Sequence, residues 1–516
     1  MSEESRMSGQ SPETSTRERL EITEADLSPA ARTVAPPPPA PGFGGDGAEE
    51  PWTEATRLMC VAAYLDGKFA QEILDEIVNE EHRAVHVPTG VDIATVARHC
   101  LAAGLQKVVR DLLLSADLVL AIVLFLVKGS ASWLVYGYLL AAAIVLWDIA
   151  SSTFIVIRRL SPQRFSAQDA PAPSGTWQTR RIEQLARDQR GNLTVYSGFS
   201  PFSGAGIDVG GWSFLIDLRK GREDALGERP TPRQPTPREL YNAVEGALTA
   251  LGMPNLEIRD RLFVSGSDVR EDQRLLPNPM GPPLAWADAG VVEHYLTSPT
   301  RQIRHYRCIE IVDWRGELVV SLFLRFAVRN GRLFCELNKL VLVPLKEELH
   351  RLNHMGGRRV QFGDVLGMVG RALITTPGLS LQAPRVVLGP LRRHSERSSS
   401  ARQVENDPFF DFGARTTALD RVRSTRYRRY FQRLDKEMYD KVLERTVLDV
   451  LVETLDAHGV DTAEIAERRT TIINNGIMMG REGAINAGNM AVGERAGIHI
   501  NLPRPGGSAG KGAEGQ

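Results

Sequence analysis

Leu112-Leu-Leu-Ser-Ala-Asp-Leu-Val-Leu-Ala-Ile-Val-Leu-Phe-Leu-Val127, then Lys128-Gly-Ser-Ala-Ser132, then Trp133-Leu-Val-Tyr-Gly-Tyr-Leu-Leu-Ala-Ala-Ala-Ile-Val-Leu-Trp-Asp-Ile-Ala-Ser-Ser-Thr-Phe-Ile-Val-Ile157 is the stretch on which the reading of this chain turns. Its second half is 25 residues with one charge, Asp148, long enough to cross a bilayer with some tilt. Its first half is 16 residues, or ~24 Å of helix against a hydrocarbon core of ~30 Å. It reaches full depth only if the helix starts near Val108, with Arg110 snorkelling to the headgroups. The competing reading is a helical hairpin buried in a soluble core. Core helices ordinarily keep a polar face, and Trp133 to Leu146 has none. A two-span membrane hairpin over 108–158 is therefore expected.

Its flanks set an orientation. Arg98, Lys107 and Arg110 precede the first span, Arg158, Arg159 and Arg164 follow the second, and the connection holds only Lys128. The positive-inside bias then puts both termini in the cytoplasm and Gly129 to Ser132 outside, in a bacterial inner membrane. Trp133, Tyr136 and Tyr138 stand beside that loop, where an aromatic belt belongs. Asp117 and Asp148 fall in the cytoplasmic half of the spans. Carboxylates at such depth raise an ion or proton path as one function, but two spans form a pore only in an oligomer, and interfacial snorkelling accommodates both residues as well.

Working outward, 1–51 is rich in Ser, Thr, Glu, Pro and Gly, with Pro36 to Pro39 as a stiff piece, and is expected to be disordered. It lacks the apolar core of a signal peptide. A small helical module is expected over 52–107, broken at Pro88-Thr-Gly90, and a linker over 159–178. Residues 179–391 read as a cytoplasmic α+β domain. Leu193 to Tyr196, Trp212 to Leu218 and Leu256 to Val264 are strand-like. Thr236-Pro-Arg-Glu239 is a helix start with a capping box, and that helix stops at Gly252. Tyr306 to Val343 reads as an antiparallel meander with turns at Trp314-Arg-Gly316 and Asn330-Gly331. Both faces of Leu318 to Arg325 are largely apolar, as in a strand covered on each side. Helical stretches follow at Lys346 to Asn353 and Phe362 to Thr375. A linker (392–417), a helical segment (418–469) with a long helix from Ala418 to His458, a repeat (470–500) and a disordered tail (501–516) complete the chain.

The 516 residues carry 62 basic and 63 acidic side chains, so no bulk attraction to nucleic acid is implied. Cys60, Cys100, Cys308 and Cys335 are scattered without metal spacing and read as reduced core residues. His350 and His354 stand four apart on a helix, but no third ligand is evident. Gly198, Gly204, Gly206, Gly210 and Gly211 follow a strand; a phosphate cradle needs a helix N-terminus or a Lys next, whereas strand continues, so a turn is the better reading. No nucleophile motif appears, and the chain leans away from being an enzyme, with no catalytic residue, cofactor, metal or small-molecule substrate assigned. Arg421, Arg423, Arg426, Arg428, Arg429 and Arg433 interleave with Tyr427, Tyr430 and Phe431; contact with the anionic inner leaflet is the functional reading, and a solvated helix face the plain one.

The repeat is Ile473-Asn-Asn-Gly476-Ile-Met-Met-Gly480 followed by Ile485-Asn-Ala-Gly488-Asn-Met-Ala-Val-Gly493. Such units suit stacked β-rungs with Ile473, Ile477, Met479, Ile485, Met490 and Val492 inward, and two rungs need a partner. That partner is another copy, in an assembly role, or the chain's own domain. Thr470 to Gly476 and Ala487 to Gly493, with Arg57 to Leu65 and Leu193 to Phe199, resemble segments of membrane-anchored actinobacterial proteins with no assigned activity. The tail is also faintly similar to bacterial amyloid-signalling motifs, from which Arg481, Glu482, Glu494 and Arg495 depart. The reading is a membrane hairpin carrying a cytoplasmic interaction domain, as scaffold or signalling component, with lipid and protein as partners. The alternatives are an oligomeric channel or transporter, or an enzyme without a readable motif.

Overall fold

Asp92 opens the longest helix among the described residues. Its side chain accepts hydrogen bonds from Ala94 N at 3.1 Å and Thr95 N at 3.3 Å, the usual way an N-cap satisfies free amides. The computed structural model describes residues 53–86, 88–223, 227–351, 362–387, 402–415, 417–424 and 426–478. Within them α1 (Thr53–Leu65) and α2 (Gly67–Ile73) precede α3 (Ile93–Lys128), which spans 36 residues, ~54 Å at 1.5 Å each. It starts well before Val108 because nothing after Pro88-Thr-Gly90 interrupts the helical pattern. Gly129, at φ 65°, ends it in the left-handed conformation that glycine adopts freely. A short turn leads to α4 (Ser132–Arg158).

The first turns of α3 belong to a packed helical core. Ile93, Val96, Ala97 and Cys100 pack with Leu58 and Val61 of α1 and Phe69 of α2. Ile182 and Leu185 of α5 (Thr176–Asp188) join the same core. The module read at 52–107 is thus completed by a helix that arrives after the hairpin.

Among the described residues the sheet has six strands: β1 (Leu193–Tyr196), β2 (Ile207–Asp217), β3 (Leu256–Ser265), β4 (Ile303–Asp313), β5 (Leu318–Arg329) and β6 (Arg332–Leu342). Their order is β1-β3-β4-β5-β6-β2. It is mixed: β1 runs parallel to β3, and the other pairings are antiparallel. The β5–β6 turn is Asn330-Gly331, with φ values of 52° and 69°, as a two-residue hairpin requires.

Helices cover one face of this sheet. They are α6 (Pro237–Ala250), started by the Thr236–Glu239 capping box, and the later helix over Tyr430–Ala457. Between them come α7 (Ala289–Thr297), α8 (Glu347–Arg351), α9 (Phe362–Val387) and α10 (Thr417–Arg421); α11 (Tyr430–Ala457) and α12 (Ala463–Met478) follow. Leu318, Val320, Leu322 and Leu324 of β5 pack under Tyr241, Val244 and Leu248 of α6 and Val447 and Leu451 of α11. On the opposite face Phe263, Tyr306, Cys308, Phe323 and Leu340 pack with Ala205 and Phe202.

Three expectations change. The helix read from Ala418 to His458 is interrupted between Arg421 and Tyr430, where Arg423 forms a β-bridge with Leu345; that tertiary pairing overrides local propensity. Phe362 to Thr375, assigned above to the α+β domain, belongs to α9, which packs along α3 and α4. Ile473 and Ile477 lie in the helical backbone of α12 rather than in a β-rung. The Ala463-Glu-Ile-Ala-Glu start is a good helix former, and once nucleated a helix propagates cheaply. Met479, Ile485, Met490 and Val492, and with them the rest of the repeat, lie outside the described residues.

Candidate functional site

Beyond that helical core α3 continues as an arm, paired with α4. Ala121 sits against Gly137 and Arg110 against Asp148, so the two helices run antiparallel. A Cβ on Gly137 would lie 2.6 Å from that of Ala121, so glycine is what permits this close approach. The third member of the arm is α9. Ala372 and Ala383 pack with Leu114, Ala141 and Val145, and the Tyr138 hydroxyl donates to the Leu373 carbonyl at 2.9 Å.

The outward side of the arm is apolar. Leu120, Val123 and Leu126 of α3, Val135, Leu139 and Phe154 of α4, and Leu366, Ile374 and Leu381 of α9 are all exposed. Among the described residues one helix, α4, is long and apolar enough to cross a membrane by length and composition, and 33 % of its most apolar window is buried. The arm portion of α3 carries Arg110, Asp111, Asp117 and Lys128.

Polar side chains gather at the base of the arm. Asp148 accepts from Gln106 Nε2 at 2.8 Å and from Arg110 Nη1 at 2.9 Å. Arg110 also reaches Asp111 at 2.8 Å, and Ser151 and Ser152 lie within 2.9 Å of the Gln106 amide nitrogen. Asp117 is buried and faces Gly137, and among the described residues no side chain donates to it. The two carboxylates read as one pair from the sequence thus have different surroundings. Asp148 is neutralised by a cation on the neighbouring helix; Asp117 is not.

The six arginines do not form one face. Arg421 is held by Glu72, Arg428 lies 2.8 Å from His350 Nδ1 and 3.2 Å from Glu347, and Arg429 sits over the Trp314 ring. Arg433 reaches Glu437 at 3.7 Å, and Arg423 turns inward to the Val343 carbonyl at 3.1 Å. Arg426 is left on a partly exposed loop.

His350 comes together with Glu54 and Glu317, their ligand atoms within 4.8 Å of one another. A divalent cation does not fit this cluster. Arg57 grips Glu54 through Nε at 2.9 Å and Nη2 at 2.6 Å, and Arg428 occupies the His350 Nδ1 side. Arg57 thus already balances Glu54, Arg428 is shared between His350 and Glu347, and Glu317 accepts from Gln432 Nε2 at 3.3 Å. Burial, with Arg428 adding to it, pushes the His350 imidazole down to about 4, and burial raises the Glu317 carboxyl. The cluster acts as a polar clasp joining α1, the β4–β5 turn, α8 and the start of α11.

Sequence reasoning missed the third helix of the arm and the Arg110–Asp148 pair. The signal for the second was present: in an antiparallel hairpin turning near Ser130, positions 110 and 148 stand at nearly the same level.

The AbeC-like domain family model matches residues 211–489, more than half of the chain. The chain belongs to the AbeC-like family. No curated protein and no solved structure matches it. The AbeC-like region opens at Gly211, inside β2, and takes in β3 to β6 with the helices that cover them. It leaves out β1, α3 and α4. It includes α9, so the AbeC-like region itself supplies one helix to the arm.

Proposed function

We propose that this AbeC-like protein is an integral protein of a bacterial inner membrane, anchored by α3 and α4 as a two-span hairpin with both termini cytoplasmic. One observation carries the reading: the arm turns large apolar side chains outward along all three of its helices, including Leu126 at 72 % and Ile374 at 81 % exposure. Contiguous apolar surface of this extent marks a membrane or partner surface rather than water. The helix pair meets on small residues, Ala121, Gly137 and Ala141, as helices in lipid do. Its one acidic residue between Trp133 and Ile157 carries a counter-ion. The segments Arg57 to Leu65 and Leu193 to Phe199 support membership of the membrane-anchored actinobacterial group.

The soluble part acts as a scaffold or signalling component that contacts protein. Tyr430, Phe431, Leu434 and Met438 are exposed on the first turns of α11, at spacings that put most of them on one face. Aromatic anchors of this kind dominate protein interfaces. The neighbouring Arg433 is paired with Glu437 and Lys436 with Asp440 at 3.3 Å, so these two cations already have partners, whereas an anionic leaflet selects unpaired positive charge. Association of copies through 479–496, attached beyond α12, belongs to the same proposal. A conducting role gains less support, because Arg110 and Gln106 saturate Asp148.

Cysteine placement tests the location. Ser130→Cys should react with an impermeant thiol reagent on intact cells, and Thr249→Cys only after permeabilisation. The reverse pattern overturns the orientation. Protection of both, together with recovery of the protein in the soluble fraction, overturns the anchoring.

A further inference from the structure

The Gly-rich loop after β1, read from the sequence as a turn, forms one wall of a cavity of about 420 Å³. Its construction is rigid. Phe202 stacks on Phe323 with ring centroids 4.3 Å apart and meets Phe263 and Tyr306 edge-on at 5.3 Å. Gly206, at φ 112°, lies so close to β6 that a Cβ would stand 2.2 Å from the Val341 carbonyl oxygen. Both contacts hold the loop against the sheet and leave the cavity beside it open without rearrangement.

The lining combines an apolar wall with one cation, Arg423, and two carboxylates, Asp208 and Asp420; Asp208 accepts from the Gly210 N–H at 2.8 Å. Phe202, Ile207, Leu340, Leu342 and Val343 supply the wall, and Ser200, Ser203 and Ser424 stand at its margin. Arg423 closes the far side. Its Nη1 donates to the Val343 carbonyl at 3.1 Å, and among the described residues its other guanidinium donors have no acceptor and no carboxylate within salt-bridge distance. Asp420, on the same rim, has interactions of its own. Burial pushes the Arg423 guanidinium down to about 10, an effect that the Asp420 and Glu317 carboxylates only partly offset.

We propose that this cavity binds a small amphiphilic anion, a carboxylate or phosphate on a compact apolar body, with the free donors of Arg423 taking the anionic group and the Leu340–Val343 wall the rest. A guanidinium presents paired donors in a plane that matches either anion. The volume suits a small-molecule site, in which apolar lining and few fixed polar groups are the rule. Such an anion reaches the protein from lipid turnover or from solution, and the chemistry recognised is the same.

Isothermal titration of the full-length protein in nanodiscs tests this with phenyl phosphate, benzoate, inorganic phosphate and the neutral benzyl alcohol. At least one aromatic anion should bind, with benzyl alcohol and inorganic phosphate each about tenfold weaker or more, since each forfeits one half of the recognition. Arg423→Gln should weaken the aromatic anion about tenfold or more. Ile207→Trp, which fills the cavity mouth from a half-exposed position, should block it. Binding of benzyl alcohol as tight as the anions overturns the role of Arg423, and inorganic phosphate as tight as phenyl phosphate overturns the apolar subsite. No binding by either aromatic anion overturns the site. Should Arg423→Gln not fold, Ile207→Trp decides alone: unchanged affinity there overturns the proposal. Repeating the titration with octanoate added as a competitor distinguishes the sources; displacement points to lipid-derived anions, and its absence to soluble ones. Each source satisfies the proposal once anion dependence is shown.

Discussion

The Arg110 guanidinium meets the Asp148 carboxylate at 2.9 Å, with the two side chains 13 % and 10 % exposed. One partner comes from α3 and the other from α4, so the pair ties the base of the arm and fixes the helices in register. Removing one member of a buried pair leaves the other uncompensated and costs about 3–5 kcal/mol, whereas replacing both with uncharged groups is often close to neutral. Arg110→Leu should therefore lower the melting temperature of the purified protein sharply, and the double variant with Asp148→Asn should recover the part of the loss that is not due to Asp111, which Arg110 also holds. Additive losses would show that the two residues act separately and that the register has another origin.

Gly137 is a point of close approach in the same helix pair. A valine there adds two methyl groups where a single Cβ already meets Ala121 at 2.6 Å. Overpacking of this kind costs about 1–3 kcal/mol, and here it also spreads α3 from α4. Gly137→Val should lower the melting temperature and raise protease sensitivity near Ser130, while Gly129→Asn, at the open left-handed cap, should change little. Equal behaviour of the two variants would place Gly137 outside the interface.

What was legible in the sequence was whatever is encoded locally. The capping box at Thr236, the turn at Asn330-Gly331 and the two-sided apolar pattern of β5 each rest on a few neighbouring residues, and each has its counterpart in the structure. Long-range choices were not legible. That β1 pairs parallel to β3 depends on residues more than sixty positions apart. The site of α9 depends on Ala372 and Ala383 matching Ala141 and Val145, and small residues on one helix do not announce their partner. The cavity beside Phe202 was missed for the same reason: Arg423 reads as one more cation in a basic run until the β-bridge to Leu345 turns it inward. The start of the first Ile-Asn unit misled, because the residues ahead of it carry helix through Met478.

His99 gives a pH signature outside the arm's apolar surface. It is buried in the helical module with its Nδ1 3.2 Å from the Tyr64 hydroxyl, and burial, aided by Arg159, pushes it down to about 4. A histidine with a lowered folded-state value stabilises the fold fully above its ordinary value near 6.5, and that contribution is lost as pH falls from there toward 4. His350 acts in the same direction, accepting from Arg428 only when neutral, although the raised Glu317 carboxyl beside it opposes the trend. Melting temperature should fall between pH 7 and 4.5, and His99→Gln should flatten part of that fall. A slope unchanged by the substitution would assign the loss to other groups.

Tyr241 is the side chain whose hydroxyl repairs a gap in the sheet. The β4–β5 ladder ends with Arg307 paired to Leu324, and two residues on, the Phe326 N–H donates to the Tyr241 hydroxyl at 2.8 Å. His305 Nδ1 lies 3.3 Å from the same oxygen, and the ring is fully buried against Phe326 and beneath Arg307. The hydroxyl therefore stands in for a missing strand. Tyr241→Phe keeps the ring and its apolar contacts but strands a buried amide, which costs about 1–3 kcal/mol. The expected result is a lower melting temperature and faster amide exchange at Phe326, with exchange at Leu322, inside the intact ladder, much less affected. If Phe326 exchanges at the wild-type rate in the variant, water or a shifted strand takes over the bond, and the repair assigned to Tyr241 is wrong.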